Sequence, residues 1–473
     1  MDAELGTPIQ QTALRRASPV AAYVGMLVGG IAVFLLVRSY GETLTAPPPA
    51  APAAAGGPAA AAPAQNALPH VLLVLVAVIV VGRVLGSLLR SVGQPPVIGE
   101  VLGGILLGPS LLGRVAPGIS SYILPPAVAP YLSVIAELGV ILYMFLVGLE
   151  LNGDLLRRRA RSAVLTSHAS IVAPFVLGSI LALRLYPRLS TSDVSFTSFA
   201  LFMGVAMSIT AFPVLARILT DRGMQRTMLG AVALACAAVD DVTAWCLLAL
   251  VVGVAQARIE DALTVLLLTA VFIAVMLLVV RPVVARLLSR SGAAPPTEQV
   301  VASTLAGVLL AALATQSIGI HALFGAFLSG AVIPHDSNLA RVLTGRLKDL
   351  VTILLLPAFF AFTGMRTQIG LVTGRSEWVM IGLIILVATA GKFGGTLAAA
   401  RLTGMGWRHA ASLGILMNTR GLMELIVLNI GLDLAVISPK LFTMMVLMAL
   451  ATTIATTPVL QLLEPRYNSG SDC

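Results

Sequence analysis

Asp240 and Asp241 stand side by side in the middle of an otherwise apolar run, residues 229–254. Two adjacent carboxylates at that depth are costly unless they handle cations or protons, and an ionisable side chain inside a membrane segment is functional by default. Neighbouring residues on a helix point about 100° apart, so the two acids face different partners. One can pair with a fixed positive charge while the other meets water and an ion. Lys392, in the apolar run 378–400, is a buried ammonium that needs such a carboxylate, because it lies too far from either end of its run to snorkel easily. The bland alternative for this lysine is a permanent salt bridge that only holds helices together.

Two other apolar runs are interrupted, one by Ser208-Ile209-Thr210-Ala211-Phe212-Pro213 and one by Asn418-Thr419-Arg420-Gly421. Pro213 lacks an N–H and Gly421 permits dihedrals that other residues avoid, so both helices are expected to unwind there. Either interruption alone reads as a simple kink. Two of them, in runs of opposite orientation and beside a run that carries paired acids, read as the crossed broken helices of an inverted-repeat secondary transporter. Arg420 and Glu424, four residues apart, are placed for a local ion pair or for contact with substrate. Glu100 follows the Pro95-Pro96 break and is a candidate for a cytoplasmic funnel. Glu137 reads as structural, and His168 and His321 as hydrogen-bonded histidines near span ends. The methionines between Met444 and Met448 read as packing and not as a metal path.

The elements that must position these residues follow from bulk composition. The chain has 473 residues, 58% of them hydrophobic and only 11% charged, which excludes a soluble globular protein. Most apolar runs are long enough to cross a hydrocarbon core of roughly 30 Å as helices, and a barrel would show short alternating segments instead. The fold expected is an all-α polytopic membrane protein. Breaks at Pro, Gly and charge clusters predict fourteen spans near 20–38, 70–90, 96–113, 131–150, 161–184, 197–219, 228–254, 262–284, 298–316, 320–334, 350–365, 378–400, 410–432 and 441–463. With the N-terminus inside, most of the 30 basic residues fall in cytoplasmic loops and ends, including Arg157, Arg158, Arg159 and Arg161, so both termini are expected in the cytoplasm. This bias explains the basic balance without a nucleic-acid partner.

Residues 47–68 are mostly Pro, Ala and Gly and read as an extracytoplasmic linker after an extra N-terminal helix within 1–46. That helix resembles both a signal anchor and a long cleavable signal peptide, and its flanks favour the anchor. The remaining divisions are a membrane domain over 69–463 and a short tail over 464–473. The cysteines, Cys236, Cys246 and Cys473, form neither a disulfide framework nor a metal site.

Three stretches carry a resemblance: 94–109, opening Gln94-Pro95-Pro96-Val97-Ile98-Gly99-Glu100; 207–219, opening Met207-Ser208-Ile209-Thr210-Ala211-Phe212-Pro213; and 416–429, holding Asn418-Thr419-Arg420-Gly421-Leu422-Met423-Glu424. In this order they resemble the monovalent cation:proton antiporter-2 family over about residues 70–463, nearest to its plant cation/H⁺ exchanger branch. The resemblance implies the fold of the bacterial sodium/proton antiporters, with a core domain moving against a dimerisation domain in a homodimer. By position, Asp241 resembles the essential ion- and proton-binding aspartate, Asp240 the residue beside it, and Lys392 the lysine that pairs with an acidic residue there. Ser208 and Thr210 would supply neutral oxygens near a monovalent cation held at Asp241. The chain departs from the plant branch in having Asp240 where Asn is typical, and in having only a short stretch after the last span where those exchangers carry a long soluble domain.

The function expected is secondary antiport, with Na⁺ or K⁺ and protons excluding one another at Asp241, two protons exchanging for one cation and a role in pH homeostasis. No enzymatic activity and no cofactor beyond the transported ions are expected. The location expected is a bacterial inner membrane, with the lipid bilayer and a second copy as partners. An ion-coupled carrier or exporter of an organic solute or ionophore on the same fold is the alternative. A passive K⁺ channel is the weakest reading, since no repeated carbonyl filter is visible.

Overall fold

Long apolar runs can satisfy their backbone in lipid only by closing hydrogen bonds within each helix. The computed structural model follows this rule: no strand occurs among the described residues, which are 19–48, 67–150, 160–224, 227–256, 259–291 and 295–464. The chain runs through α1 (Pro19–Gly41), α2 (Ala67–Ser91), α3 (Pro96–Leu107), the short α4 (Leu112–Val115) and α5 (Pro117–Ile123), and α6 (Ala129–Glu150). α7 (Ala160–Leu189) leads into the interrupted pair α8 (Phe196–Ser208) and α9 (Phe212–Asp221), and α10 (Met228–Gln256) carries the two aspartates. Then come α11 (Ile259–Val275), α12 (Arg281–Ser291), α13 (Glu298–Ile318), α14 (Ala322–Ala331), α15 (Asn338–Leu350) and α16 (Leu356–Arg366). α17 (Arg375–Leu402), the second interrupted pair α18 (Trp407–Met417) and α19 (Leu422–Asp433), and α20 (Pro439–Leu463) complete it.

Among the described residues, eleven segments are long and apolar enough to cross a membrane, or twelve if α18 and α19, bent by 43°, form one span. The other two of the expected fourteen spans are present as shorter apolar helices. The run 197–219 divides into α8 and α9, and the run 320–334 yields only the ten residues of α14. Conversely, the run 350–365 belongs to a longer helical segment, Asn338–Leu371. Its first part, α15, buries Leu339, Ala340, Leu343 and Leu347 along one stripe and packs on α6, so helix continues beyond the continuously apolar stretch. Most of the Ala/Pro linker, the tail after Glu464, and Arg157, Arg158 and Arg159 of the basic loop lie outside the described residues.

The helices gather into two bodies. α7, α8, α10, α17, α18 and α20 pack on one another around the interrupted pairs, while α2, α3, α6, α13, α14 and α16 form the second body. Small residues let the second body close tightly. Gly104 of α3 and Gly364 of α16 each lie against the other helix's backbone, as small residues do where membrane helices cross. At one end the bodies are tied by Arg366 of α16, which pairs with Asp433 and donates to Asn429 Oδ1 (3.0 Å), both on α19. α1 lies outside both bodies' centres, against α7 and α8.

The two interruptions cross. Ala211 N–H donates to Thr419 O (2.9 Å), and Thr210 Oγ1 donates to Met417 O (3.1 Å), the last residue of α18. The last four carbonyls of a helix have no donor of their own. Here Arg420 supplies one across the crossing: Nη1 donates to Ala206 O (2.9 Å) and Nη2 to Met207 O (2.7 Å), while Nη1 also pairs with Glu424 (2.7 Å). Arg420 and Glu424 are fully buried. Pro213 sits in the first turn of α9, where its missing N–H removes no helix bond, so the interruption precedes it. Gly421 is extended (φ 170°), and the need for glycine is steric, since a Cβ there would sit 2.7 Å from Val214 Cγ2. Its dihedral freedom, invoked from sequence, is not what the crossing uses.

Two stability predictions follow from this packing. Gly364→Val forces a branched side chain into the α3 backbone and is expected to cost about 1–3 kcal/mol, read as a lowered thermal midpoint in detergent. Arg420→Ala leaves Glu424 buried without its partner and uncaps α8, and is expected to cost about 3–5 kcal/mol in the same assay. The double variant Arg420→Ala/Glu424→Ala should recover part of that loss.

Candidate functional site

α10 brings Asp240 and Asp241 to the level of the crossing, and helical geometry gives the two carboxyls opposite fates. Asp240 is fully buried and saturated. Its Oδ1 accepts from Ser167 Oγ (2.5 Å), and its Oδ2 accepts from Ser170 Oγ (2.8 Å), Thr210 Oγ1 (2.8 Å) and Lys392 Nζ (2.8 Å). Four donor groups, from α7, the α8–α9 interruption and α17, surround this carboxylate, and Ser170, whose hydroxyl lies equally near Ser167 O (2.8 Å), divides its one proton between the two acceptors. The Thr210 hydroxyl carries one proton and chooses between Asp240 and Met417 O, so it couples this carboxylate to the end of α18.

Lys392 is equally complete. Its ammonium is fully buried and its three N–H bonds reach Asp240 Oδ2, Ser208 O (2.5 Å) and Ser170 Oγ (3.5 Å). Cations are favourable at helix C-termini, and Lys392 and Arg420 together occupy the end of α8. The glycine before the lysine, Gly391, packs on Pro174 of α7, which brings α17 close enough for the ammonium to reach the interruption. Ser208 contributes its carbonyl here, because the one proton of its hydroxyl is shared between Ile171 O (2.9 Å) and Gly204 O (2.7 Å).

Asp241 differs in kind. It is 3% exposed, and neither carboxyl oxygen has a hydrogen-bond partner among the described residues. Asn418 Oδ1 and Thr419 Oγ1 at the second interruption are also buried without a partner in the same sense. The structure therefore sets a neutralised carboxylate beside an uncompensated one, with spare neutral oxygens at the crossing. A buried ionised carboxylate that lacks a partner is costly enough that it must take up a proton or a cation.

The other sequence candidates lie elsewhere. Glu100 sits in α3, in the second body, against Gly82 of α2. Glu137 accepts from Ser133 Oγ (3.2 Å) on its own helix. His168 packs edge-on against Tyr23 (5.3 Å between ring centres), and His321 caps α14. Met444, Met445 and Met448 are fully buried core residues, and no metal-binding group of His, Cys, Asp and Glu occurs among the described residues. Sequence reasoning missed Ser167 and Ser170. Their spacing of three within an apolar helix, which places both on one face, was the available signal.

Comparison with known proteins identifies the family. The chain is 44% identical over 403 residues to the Na⁺/H⁺ antiporter NhaS4 of Synechocystis, covering 85% of this chain and 98% of that protein. It is 40% identical over 412 residues to cation/H⁺ antiporter 19 of Arabidopsis thaliana, and 33% identical over 389 residues to K⁺/H⁺ antiporter 1 of Saccharomyces cerevisiae. These two alignments cover 86% and 80% of this chain but only 51% and 44% of the relatives, so the chain spans about half the length of the plant and yeast proteins. The fold is similar to that solved for the sodium proton antiporter MjNhaP1 from Methanocaldococcus jannaschii at pH 8, with a TM-score of 0.62 at 14% identity over 84% of this chain and 96% of that one. Residues 55–462 match the family described as sodium/hydrogen exchanger, transmembrane, and the chain belongs to that family.

Proposed function

We propose that this protein is a secondary antiporter that exchanges a monovalent cation, Na⁺ or K⁺, for protons by alternating access, with both competing for Asp241. It is a carrier and not an enzyme. The observation that carries this reading is the contrast between the two acids: Asp240 is saturated by four donors, while Asp241 is buried with none among the described residues. A carboxylate in that position is occupied either by a proton or by a cation, and one occupant excludes the other. Asn418 and Thr419 supply neutral oxygens to a dehydrated ion beside it, and Glu100 lines the approach from the cytoplasm. The named activities of the similar cyanobacterial, plant and yeast proteins support the same assignment.

The Asp240–Lys392 pair supplies the second proton of the cycle. When the pair opens, either Asp240 or the amine changes protonation, so two protons exchange for one cation. Such a cycle moves one net charge, worth about 2.3 kcal/mol per 100 mV of membrane potential. The membrane domain over 69–463 works as a homodimer in a bacterial inner membrane, with both termini cytoplasmic, and contributes to pH homeostasis.

Proton flux from proteoliposomes on addition of Na⁺, K⁺ or Li⁺, under a clamped potential, tests the central claim. Cation-dependent flux in the wild type and its loss in folded Asp241→Asn is the expected result, and retained flux in that variant would refute it. Asp240→Asn is expected to keep exchange and to lose voltage dependence; unchanged electrogenicity would remove the pair from the cycle.

A further inference from the structure

α1 lies before residue 55, where the family match begins, and it still packs on α7 and α8, two of the helices that build the site. Its contacts with α7 come in order along both helices: Tyr23 edge-on to His168, Gly30 against Val172, and Phe34 against Phe175 with ring centres 5.7 Å apart. Beyond α1 the chain is pinned again, by Thr197 Oγ1 donating to Glu42 (3.1 Å) and Ser192 N–H donating to Pro47 O (2.9 Å). The opposite face of α1, with Val24, Val28, Ile31 and Leu36, is exposed.

The place on α7 that α1 covers is its weak point. Pro174 lies inside α7. A proline there supplies no N–H to the carbonyl four residues earlier, which is that of Ser170, and loosens the helix around it. Ser170 and Ser167, on the turns just before this proline, are two of the four donors to Asp240. His168, Val172 and Phe175 straddle the same defect from the outside, and α17 closes it from the inside through Gly391.

We propose that α1 is a splint for α7: it spans the Pro174 defect and holds Ser167 and Ser170 on Asp240, making Tyr23, Gly30 and Phe34 positioning residues for the ion site. Cation affinity at the site is then set in part by a helix that touches no ion. The inference rests on the exchange function only for the second of its two measurements.

The glycines of α1 supply the test with its own controls. A Cβ on Gly30 would sit 2.8 Å from Val172 Cγ1, whereas Gly25 and Gly29 have nothing within 4 Å. Gly30→Leu therefore lifts α1 from α7, and Gly25→Leu and Gly29→Leu add the same bulk on open faces. In nanodiscs, amide hydrogen exchange over residues 166–176 is expected to quicken about threefold or more in Gly30→Leu and in Tyr23→Ala, and not in the two controls. Exchange at 166–176 equal to the controls in both variants, or quickened evenly along the whole chain, would overturn the splint. In proteoliposomes the cation concentration for half-maximal proton flux should rise about threefold in the same two variants. That is less than the roughly tenfold or more expected when a group directly supporting an ion ligand is removed. An unchanged half-maximal concentration alongside quickened amides would leave α1 a purely structural helix and defeat the positioning role. A wild-type protein that moved no cation would defeat the antiport reading instead, and the amide measurement would decide the splint alone.

Discussion

A carboxylate inside an apolar bundle must be solvated by protein, and the arrangement of the core body follows from that requirement at Asp240. No single helix can surround an acid on its neighbour, so its four donors come from α7, from the α8–α9 interruption and from α17. Each of these elements is thereby tied to α10 through a charged hydrogen bond in low dielectric, where such bonds are strong and costly to break. A movement that carries the site must carry these helices together. The tie between Arg366 and the end of α19 is of another kind, since Asp433 is half exposed and the pair joins the two bodies where water reaches it. Beside it Asn429 Nδ2 donates to Thr363 Oγ1 (2.9 Å) between the same two helices, and both residues are buried, so the tie between the bodies is wet only at its Asp433 end.

The crossing solves a second problem created by the first. Interrupting two helices at the same depth leaves two sets of orphan carbonyls in a place where lipid offers no donors. Arg420 serves α8 from the opposite interruption, Lys392 serves Ser208, and Thr210 serves α18. Each broken helix is thus completed by residues from another, and neither half-helix pair can be built alone. Gly421 permits this by admitting Val214 to within contact distance.

The sequence exposes the charges of this site better than its neutral groups, for a physical reason. Asp240, Asp241, Lys392, Arg420 and Glu424 stand out because a charge in an apolar run costs several kcal/mol by any measure and needs an explanation. Ser167 and Ser170 do not, because a hydroxyl in a membrane helix can satisfy itself on the carbonyl one turn back. Ser179, Thr243, Thr269 and Thr396 in this protein do so. Spans were legible as apolar runs, but where a run is divided or only partly helical, as at α8–α9 and α14, its length did not give the length of the helix. Arg420 was legible as half of a local pair with Glu424, four residues away. Its larger task, closing the end of α8 more than two hundred residues earlier in the chain, leaves no local trace.

A count of formal charge at the crossing shows where a positive charge is missing. Asp240 and Lys392 cancel, as do Arg420 and Glu424, each pair within 2.8 Å. Asp241 remains, a single formal negative charge on a side chain that is 3% exposed. Another fixed cation would neutralise it permanently and leave a structural salt bridge, while an isosteric neutral residue would remove the demand altogether. The protein does neither. It retains one uncompensated carboxylate beside a complete cradle that keeps the neighbouring acid from competing with it, so the missing positive charge must arrive from solution. On the proposed exchange that charge is a proton or an alkali cation but not both at once, and the same deficit then couples the two fluxes.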